Sequence, residues 1–159
     1  TKKKVLVVGA GAAGLEAAEG DLAHDDAWYD LLSSILKPRT VVAPDVVEKA
    51  RFLYQGNEVE LDEKSVEKNL AKAGARGFVT AATEALEALD SAAWHADAIN
   101  AALEALPEKL GASKRKFFGA VRVAACGNQV SPPLGESLEL LGRDCTLARL
   151  RRAEGIAAE

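Results

Sequence analysis

Val130-Ser-Pro-Pro-Leu-Gly-Glu-Ser-Leu-Glu-Leu-Leu-Gly142 carries the firmest local instructions in the chain. Pro132 and Pro133 fix their own φ and lack an N–H, so no helix or inner strand can run through them. Helix formers follow at 135–141, and Gly142 is placed to end that helix. Asp144 is placed to cap a last helix reaching Arg152 through Leu147-Ala-Arg-Leu-Arg-Arg152. Arg149, Arg151 and Arg152 stand in its last turns, where cations offset the negative end of the helix dipole.

Upstream the pattern stays helical. Asp25 or Asp26 can cap a helix through about Leu36, with Leu31, Leu32, Ile35 and Leu36 on one face. Pro38 ends it, and Pro44, at an N1-like position, opens another over 45–54. Gly56-Asn57 reads as a turn. Asp62 or Ser65 can cap the next helix, which ends near Gly74. A further helix is expected over 80–90, with Leu86 and Leu89 on one face. Ser91 or Trp94 begins another, with Ile99, Leu103 and Leu106 in one stripe and Gly111 as its end. Residues 117–125 fit a helix or a strand by pattern alone.

A chain of 159 residues forms one domain or two small ones and can bury a real core. It is 48% hydrophobic and only 5% aromatic, a mixture that suits close-packed helices better than a β-sandwich. The net charge of −4 excludes a general polycation. It hides a gradient: residues 1–60 carry 7 cations against 10 anions, 61–112 carry 5 against 9, and 113–159 carry 8 against 5. A polyanion should therefore meet the C-terminal third. Within it, Ser113-Lys-Arg-Lys-Phe-Phe-Gly-Ala-Val-Arg122 mixes cations with aromatics, as a surface for phosphates and stacked bases does, and as a solvated basic loop ahead of a core element also does.

Cys126 and Cys145 are too few for a disulfide framework and read as packing residues. With His24 and His95 as the only histidines and no metal-ligand spacing, no metal site is expected. Neither a Cys–His pair nor a Ser–His–Asp set can be assembled from these spacings, so no self-contained active site is expected. The apolar runs are too short for a bilayer span, and 5–8 is too short for a signal-peptide core, which points to the cytoplasm.

The N-terminal segment, 1–20, stands apart. Lys4-Val-Leu-Val-Val8 followed by Gly9, Gly11 and Gly14 is a strand-turn-helix opening of the GxGxxG type. Such a turn lets a flavin or nicotinamide pyrophosphate approach a helix N-terminus, so FAD or NAD binding through Gly9, Gly11 and Gly14 is one alternative. The pattern also needs a second parallel strand and an acidic residue about 20 residues on. Asp30 lies near that distance but inside a helical stretch, and no βαβ unit follows. No cofactor is expected on this ground.

From about residue 31 to 152 the chain resembles the C-terminal anticodon-binding region of bacterial glutamyl-tRNA synthetases. Four stretches carry the likeness: Leu36-Lys-Pro-Arg-Thr40 with Glu48-Lys-Ala-Arg-Phe-Leu-Tyr54; Trp94-His-Ala-Asp-Ala-Ile99; Lys116-Phe-Phe-Gly-Ala-Val-Arg-Val-Ala-Ala-Cys-Gly127; and Val130 to Gly142 with its continuation to Arg152. The resemblance implies an all-α fold, with a first helical subdomain over 21–93 and a C-terminal helical cage over 94–159. It implies a monomer that binds the anticodon loop of glutamate tRNA and no membrane or metal. No HIGH-like or KMSKS-like motif of the catalytic domain occurs, so the chain is not expected to aminoacylate by itself.

Residue by residue, the resemblance implies that Arg39 reads the first anticodon base and that Arg122 lies near the third. It implies that Ser131, Pro132 and Leu134 line the base pocket. The basic segment itself adds Lys114, Arg115 and Lys116 as the expected contacts to backbone phosphate. A guanidinium offers paired donors to a base edge, and a proline-stiffened loop presents backbone groups at low entropy cost. Two positions depart from the family pattern. Gly135 stands where an aromatic is implied, removing a stacking surface worth about 1–3 kcal/mol per base. Cys126 stands where a threonine is implied. A helical scaffold or chimera that binds no RNA is a further alternative.

Overall fold

The computed structural model describes residues 24–36 and 49–159. They belong to two compact units, Thr1–Tyr54 and Gln55–Glu159. Every regular element among the described residues is helical, so the all-α expectation holds and 117–125 is settled as helix. The run 5–8, Gly9, Gly11, Gly14 and Arg39 lie outside the described residues. The boundary expected at 93/94 falls inside the second unit.

In the first unit, Asp25 Oδ1 accepts the Trp28 N–H at 2.9 Å and starts α1 (Asp26–Leu36). Tyr29, Leu32, Ile35 and Leu36 recur at helical spacing and form its buried face. His24 stacks on Trp28 with centroids 3.8 Å apart, and its burial lowers the imidazole pKa against the pull of Asp25. The helix expected over 45–54 is described from residue 49 and tightens into a 3-10 turn at Arg51–Tyr54.

The second unit starts on a side-chain cap. Asp62, in extended geometry, accepts the Ser65 N–H at 2.8 Å and so opens α2 (Glu63–Ser65). The chain then widens into a π-helical turn, Val66–Leu70. Gly74, in the left-handed region at φ 85°, leads into α3 (Ala75–Glu87). This helix starts before the expected Thr80, because its buried stripe of Ala75, Val79, Ala82, Thr83 and Leu86 begins at Ala75. It ends before Leu89, which therefore lies outside it.

Asp90 caps the 3-10 turn Ser91–Ala93, and α4 (Ala96–Glu104) follows. The single helix expected to reach Gly111 is broken. Pro107 has no N–H to continue it, and the chain restarts as α5 (Leu106–Lys109) with that proline in its first turn. Ile99 and Leu103 are buried as expected, whereas Leu106 is only half-buried.

Then come α6 (Lys114–Cys126), α7 (Leu134–Leu141) and α8 (Arg143–Glu154). Asp144 does not cap α8. Gly142 holds the cap position at φ 83° and ψ 160°, a geometry that favours glycine, and Asp144 is a solvent-exposed member of the first turn. Helices α3, α6 and α8 pack on one another, and α7 packs on α4. Phe117, fully buried on α6, meets Phe78 and Phe118 edge to face at 6.0 and 5.2 Å. The C-terminal tail docks by backbone bonds, Ala158 N to Leu70 O and Arg76 N to Ala158 O.

Candidate nucleic-acid interface

Helix α6 supplies both ends of the candidate surface. Its C-terminal end is closed by Gly127, in the left-handed region at φ 80°, whose N–H reaches Val123 O. The chain turns back there, and residues 128–133 return alongside the helix end. Arg122 meets them. Its Nη1 donates to Ser131 Oγ at 2.5 Å, Pro132 O at 2.8 Å and Ser131 O at 3.4 Å. Ser131 Oγ in turn donates to Pro132 O at 3.0 Å. Nε and Nη2 of the same guanidinium bond to nothing among the described residues. One nitrogen thus braces the loop, and two nitrogens, with three N–H groups between them, remain for a ligand edge.

Pro132 and Leu134 are buried, so they set the shape of the loop from beneath. Ser137 Oγ donates to Pro133 O at 2.8 Å and ties the loop to the first turn of α7. The fold therefore brings Arg122, Ser131 and Pro132 together, with Leu134 buried at the start of α7; Arg39 is outside the described residues.

The other end of α6 holds Lys114, Arg115 and Lys116. They form its first turn, with Ser113 Oγ accepting the Lys116 N–H at 3.3 Å. All three are exposed. Lys114 pairs with Glu104, while Arg115 and Lys116 pair with no acidic group among the described residues. Cations at a helix N-terminus oppose the dipole. Arg115 and Lys116 therefore gain nothing from the helix that carries them, and both are available to an external anion. By α-helical rise, Lys114 and Cys126 stand about 18 Å apart.

Several partners of this loop were not legible in the sequence. Asp62 N donates to Gly127 O at 2.8 Å. Gln129 N donates to Ser65 Oγ at 3.2 Å, and Asn69 Nδ2 reaches Gln129 Oε1 at 3.4 Å. These contacts join residues some sixty positions apart, and no local pattern announces them. Gly135 is also explained by a distant neighbour. A Cβ there would lie 2.5 Å from both Oδ1 and Nδ2 of Asn100, so any side chain must displace that carboxamide.

Burial pushes the Cys126 thiol up to about 11, against the lowering effect of Ser131, Arg122 and Arg149, so this cysteine packs and does not react. Arg149 departs from its expected role. It is 1% exposed, and donates from Nε to Gly56 O and from Nη1 to Ala125 O, both at 2.8 Å. It pins neighbouring segments and does not offset the end of its own helix.

A cleft of about 520 Å³ lies elsewhere, lined by Glu87, Arg143, Asp144, Leu147 and Arg151. Its cations are engaged: Arg151 pairs with Glu87, and Arg143 donates to Leu89 O and Glu87 O. Among the described residues no group of three His, Cys, Asp or Glu could hold a metal ion, and no helix is long and apolar enough to cross a membrane.

The family described as "Anticodon binding domain" matches residues 12–154. This chain belongs to that family. The anticodon-binding domain is 47% identical over 135 residues to a glutamate–tRNA ligase of Mycolicibacterium vanbaalenii, covering 84% of this chain and 26% of the relative. It is 46% identical over 122 residues to the ligase of Saccharopolyspora erythraea, covering 76% and 24%. The chain thus spans about a quarter of the length of these relatives. In fold it is similar to a glutamate tRNA ligase of Elizabethkingia meningosepticum, with a TM-score of 0.75, 20% identity, and coverage of 98% of this chain and 31% of that one.

Proposed function

We propose that this domain binds the anticodon loop of glutamate tRNA and reads its bases with Arg122 and the 131–134 segment. The supporting observation is the Arg122 guanidinium, which holds Ser131 and Pro132 through Nη1 and keeps two nitrogens unengaged. Paired donors on a planar fork suit the edge of an unstacked base. Lys114, Arg115 and Lys116 face the phosphates, and Arg39, by the family resemblance, reads the first anticodon base. The chain does this as a cytoplasmic monomer without metal or cofactor. By itself it performs no aminoacylation, because it carries neither signature motif of a synthetase catalytic domain.

The test is a titration with a labelled glutamate-tRNA anticodon stem-loop at two salt concentrations, beside a stem-loop with one anticodon base changed. Binding should weaken with salt and with the changed base, and Arg122→Ala should abolish the base preference. Each lost base contact is worth about 1–3 kcal/mol, or roughly tenfold to a hundredfold. No binding at low salt would refute the proposal and leave a helical scaffold. Binding without base preference would leave only a basic patch at 114–116.

A further inference from the structure

Residues 127–132 are held at nearly every position, and one side chain among them is not held at all. Gly127 is clamped through both its N–H and its carbonyl. Asn128 Oδ1 accepts the Val130 N–H at 2.9 Å. Gln129 is held through its backbone by Ser65 and through its side chain by Asn69. Ser131 and Pro132 are held by Arg122. Between these anchors the Val130 side chain stands 77% exposed, well beyond Leu110 at 42% and Ile156 at 45%.

The π-helical turn Val66–Leu70 reaches the loop because α6 has a glycine opposite it. A Cβ on Gly119 would lie 2.3 Å from Asn69 Oδ1. Asn69 also donates from Nδ2 to Ser65 O at 2.9 Å, and Ser65 is itself tied to the Asp62 cap. Cap, π turn and loop therefore form one hydrogen-bonded frame whose free face is Val130.

We propose that Val130 is an RNA-contacting residue, against which an unpaired base or its ribose packs, and that Ser65 and Asn69 are its positioning residues. The inference rests on the proposed anticodon binding. Ordering a loop residue on binding costs conformational entropy, and here that order exists beforehand. Ser131, the residue after Val130, accepts from Nη1 of the Arg122 guanidinium, whose Nε and Nη2 are unengaged. An exposed apolar residue on a loop braced by a guanidinium with unengaged donors suits an unpaired nucleotide, and the exposed cations 114–116 on the helix that carries Arg122 favour RNA over a protein partner.

The experiment compares the chain with Val130→Ala, Val130→Asp and Asn69→Ala in the same stem-loop titration, with melting temperatures measured in parallel. Val130→Ala should weaken binding of both stem-loops about fivefold, the share of one packed valine, and Val130→Asp more than about twentyfold. Both should melt with the parent chain, because the side chain is exposed. Asn69→Ala should reduce the cognate-to-changed-base ratio, which a loss of stability alone would not move. Val130→Asp binding like the parent, while the parent keeps its base preference, overturns the inference and leaves the anticodon reading intact. A parent chain that binds no RNA overturns both. A lowered melting temperature for Val130→Asp, or a change in sedimentation with unchanged RNA affinity, assigns the side chain to packing or to a protein contact and overturns the inference.

Discussion

Gly127→Ala should damage the domain far more than Gly74→Ala, although the two glycines have almost the same backbone. Gly127 sits at φ 80°, ψ −10° and Gly74 at φ 85°, ψ −5°. Both substitutions force an L-residue into the left-handed region at about 1–2 kcal/mol, partly offset by about 0.4–1 kcal/mol from the stiffer unfolded chain. At Gly74 nothing is added, since the new Cβ would lie 3.7 Å from Phe78 Cζ, an ordinary contact. At Gly127 the Cβ would lie 2.2 Å from Glu60 O and 3.0 Å from Val59 Cγ2. Backbone must move by about 1 Å to restore normal carbon–oxygen contact. That movement strains the Asp62 N to Gly127 O bond, worth about 0.5–1.5 kcal/mol, and pushes on the buried Val59 at about 1–3 kcal/mol. Gly127→Ala should therefore exceed Gly74→Ala by about 2–4 kcal/mol. Urea unfolding followed by circular dichroism at 222 nm measures both. A difference below about 1 kcal/mol would show that the loop base is not clamped against residues 59–62, and would sink the claim of a preformed surface.

Two further outcomes follow from buried groups. Arg149→Ala should cost about 3–5 kcal/mol in the same urea assay, because it opens a cavity, takes the guanidinium donor from the Ala125 carbonyl and leaves the Gly56 carbonyl with the weak Cys145 thiol; a loss under about 1 kcal/mol would show that water replaces the guanidinium at little cost. Between pH 9 and pH 11 stability should fall, since the unfolded chain releases the Cys126 proton near its ordinary value while the folded chain holds it to about 11. Fewer protons bound in the unfolded state makes that sign negative with rising pH, and a Cys126→Ala variant that falls just as steeply would assign the effect elsewhere.

The legible part of the fold is the part written at short range. Pro132-Pro133 broke the chain where expected, Gly142 ended α7, and Asp62 capped α2. Misjudged boundaries share a cause. The start of α3 at Ala75 depends on a stripe that packs on α6 and α8, and small alanines announce such a stripe weakly. Asp144 is a reasonable cap by residue type, yet Gly142 took the position because the turn out of α7 needs positive φ. At the candidate interface, the resemblance pointed to Arg122 and Ser131, and the fold brings their side chains to 2.5 Å. Ser65, Asn69 and Gln129 had no local signature, being neutral polar residues whose partners lie across the unit.

By itself, the sequence determined that the described chain is helical, where several helices stop, and that positive charge gathers in the last third. Those properties follow from φ restrictions, capping chemistry and residue counts, all of which act within a few positions. The tertiary structure alone decided what the charges do. Arg149, Arg151 and Arg152 looked alike at a helix end, yet one is buried between carbonyls, one pairs with Glu87, and one reaches Val59 O. It also decided that Arg122 spends one nitrogen on the loop and that Val130 stands free above a fixed frame. A side chain's task depends on which donors and acceptors the packing of distant segments leaves within about 3 Å of it, and no window of neighbouring residues contains that information.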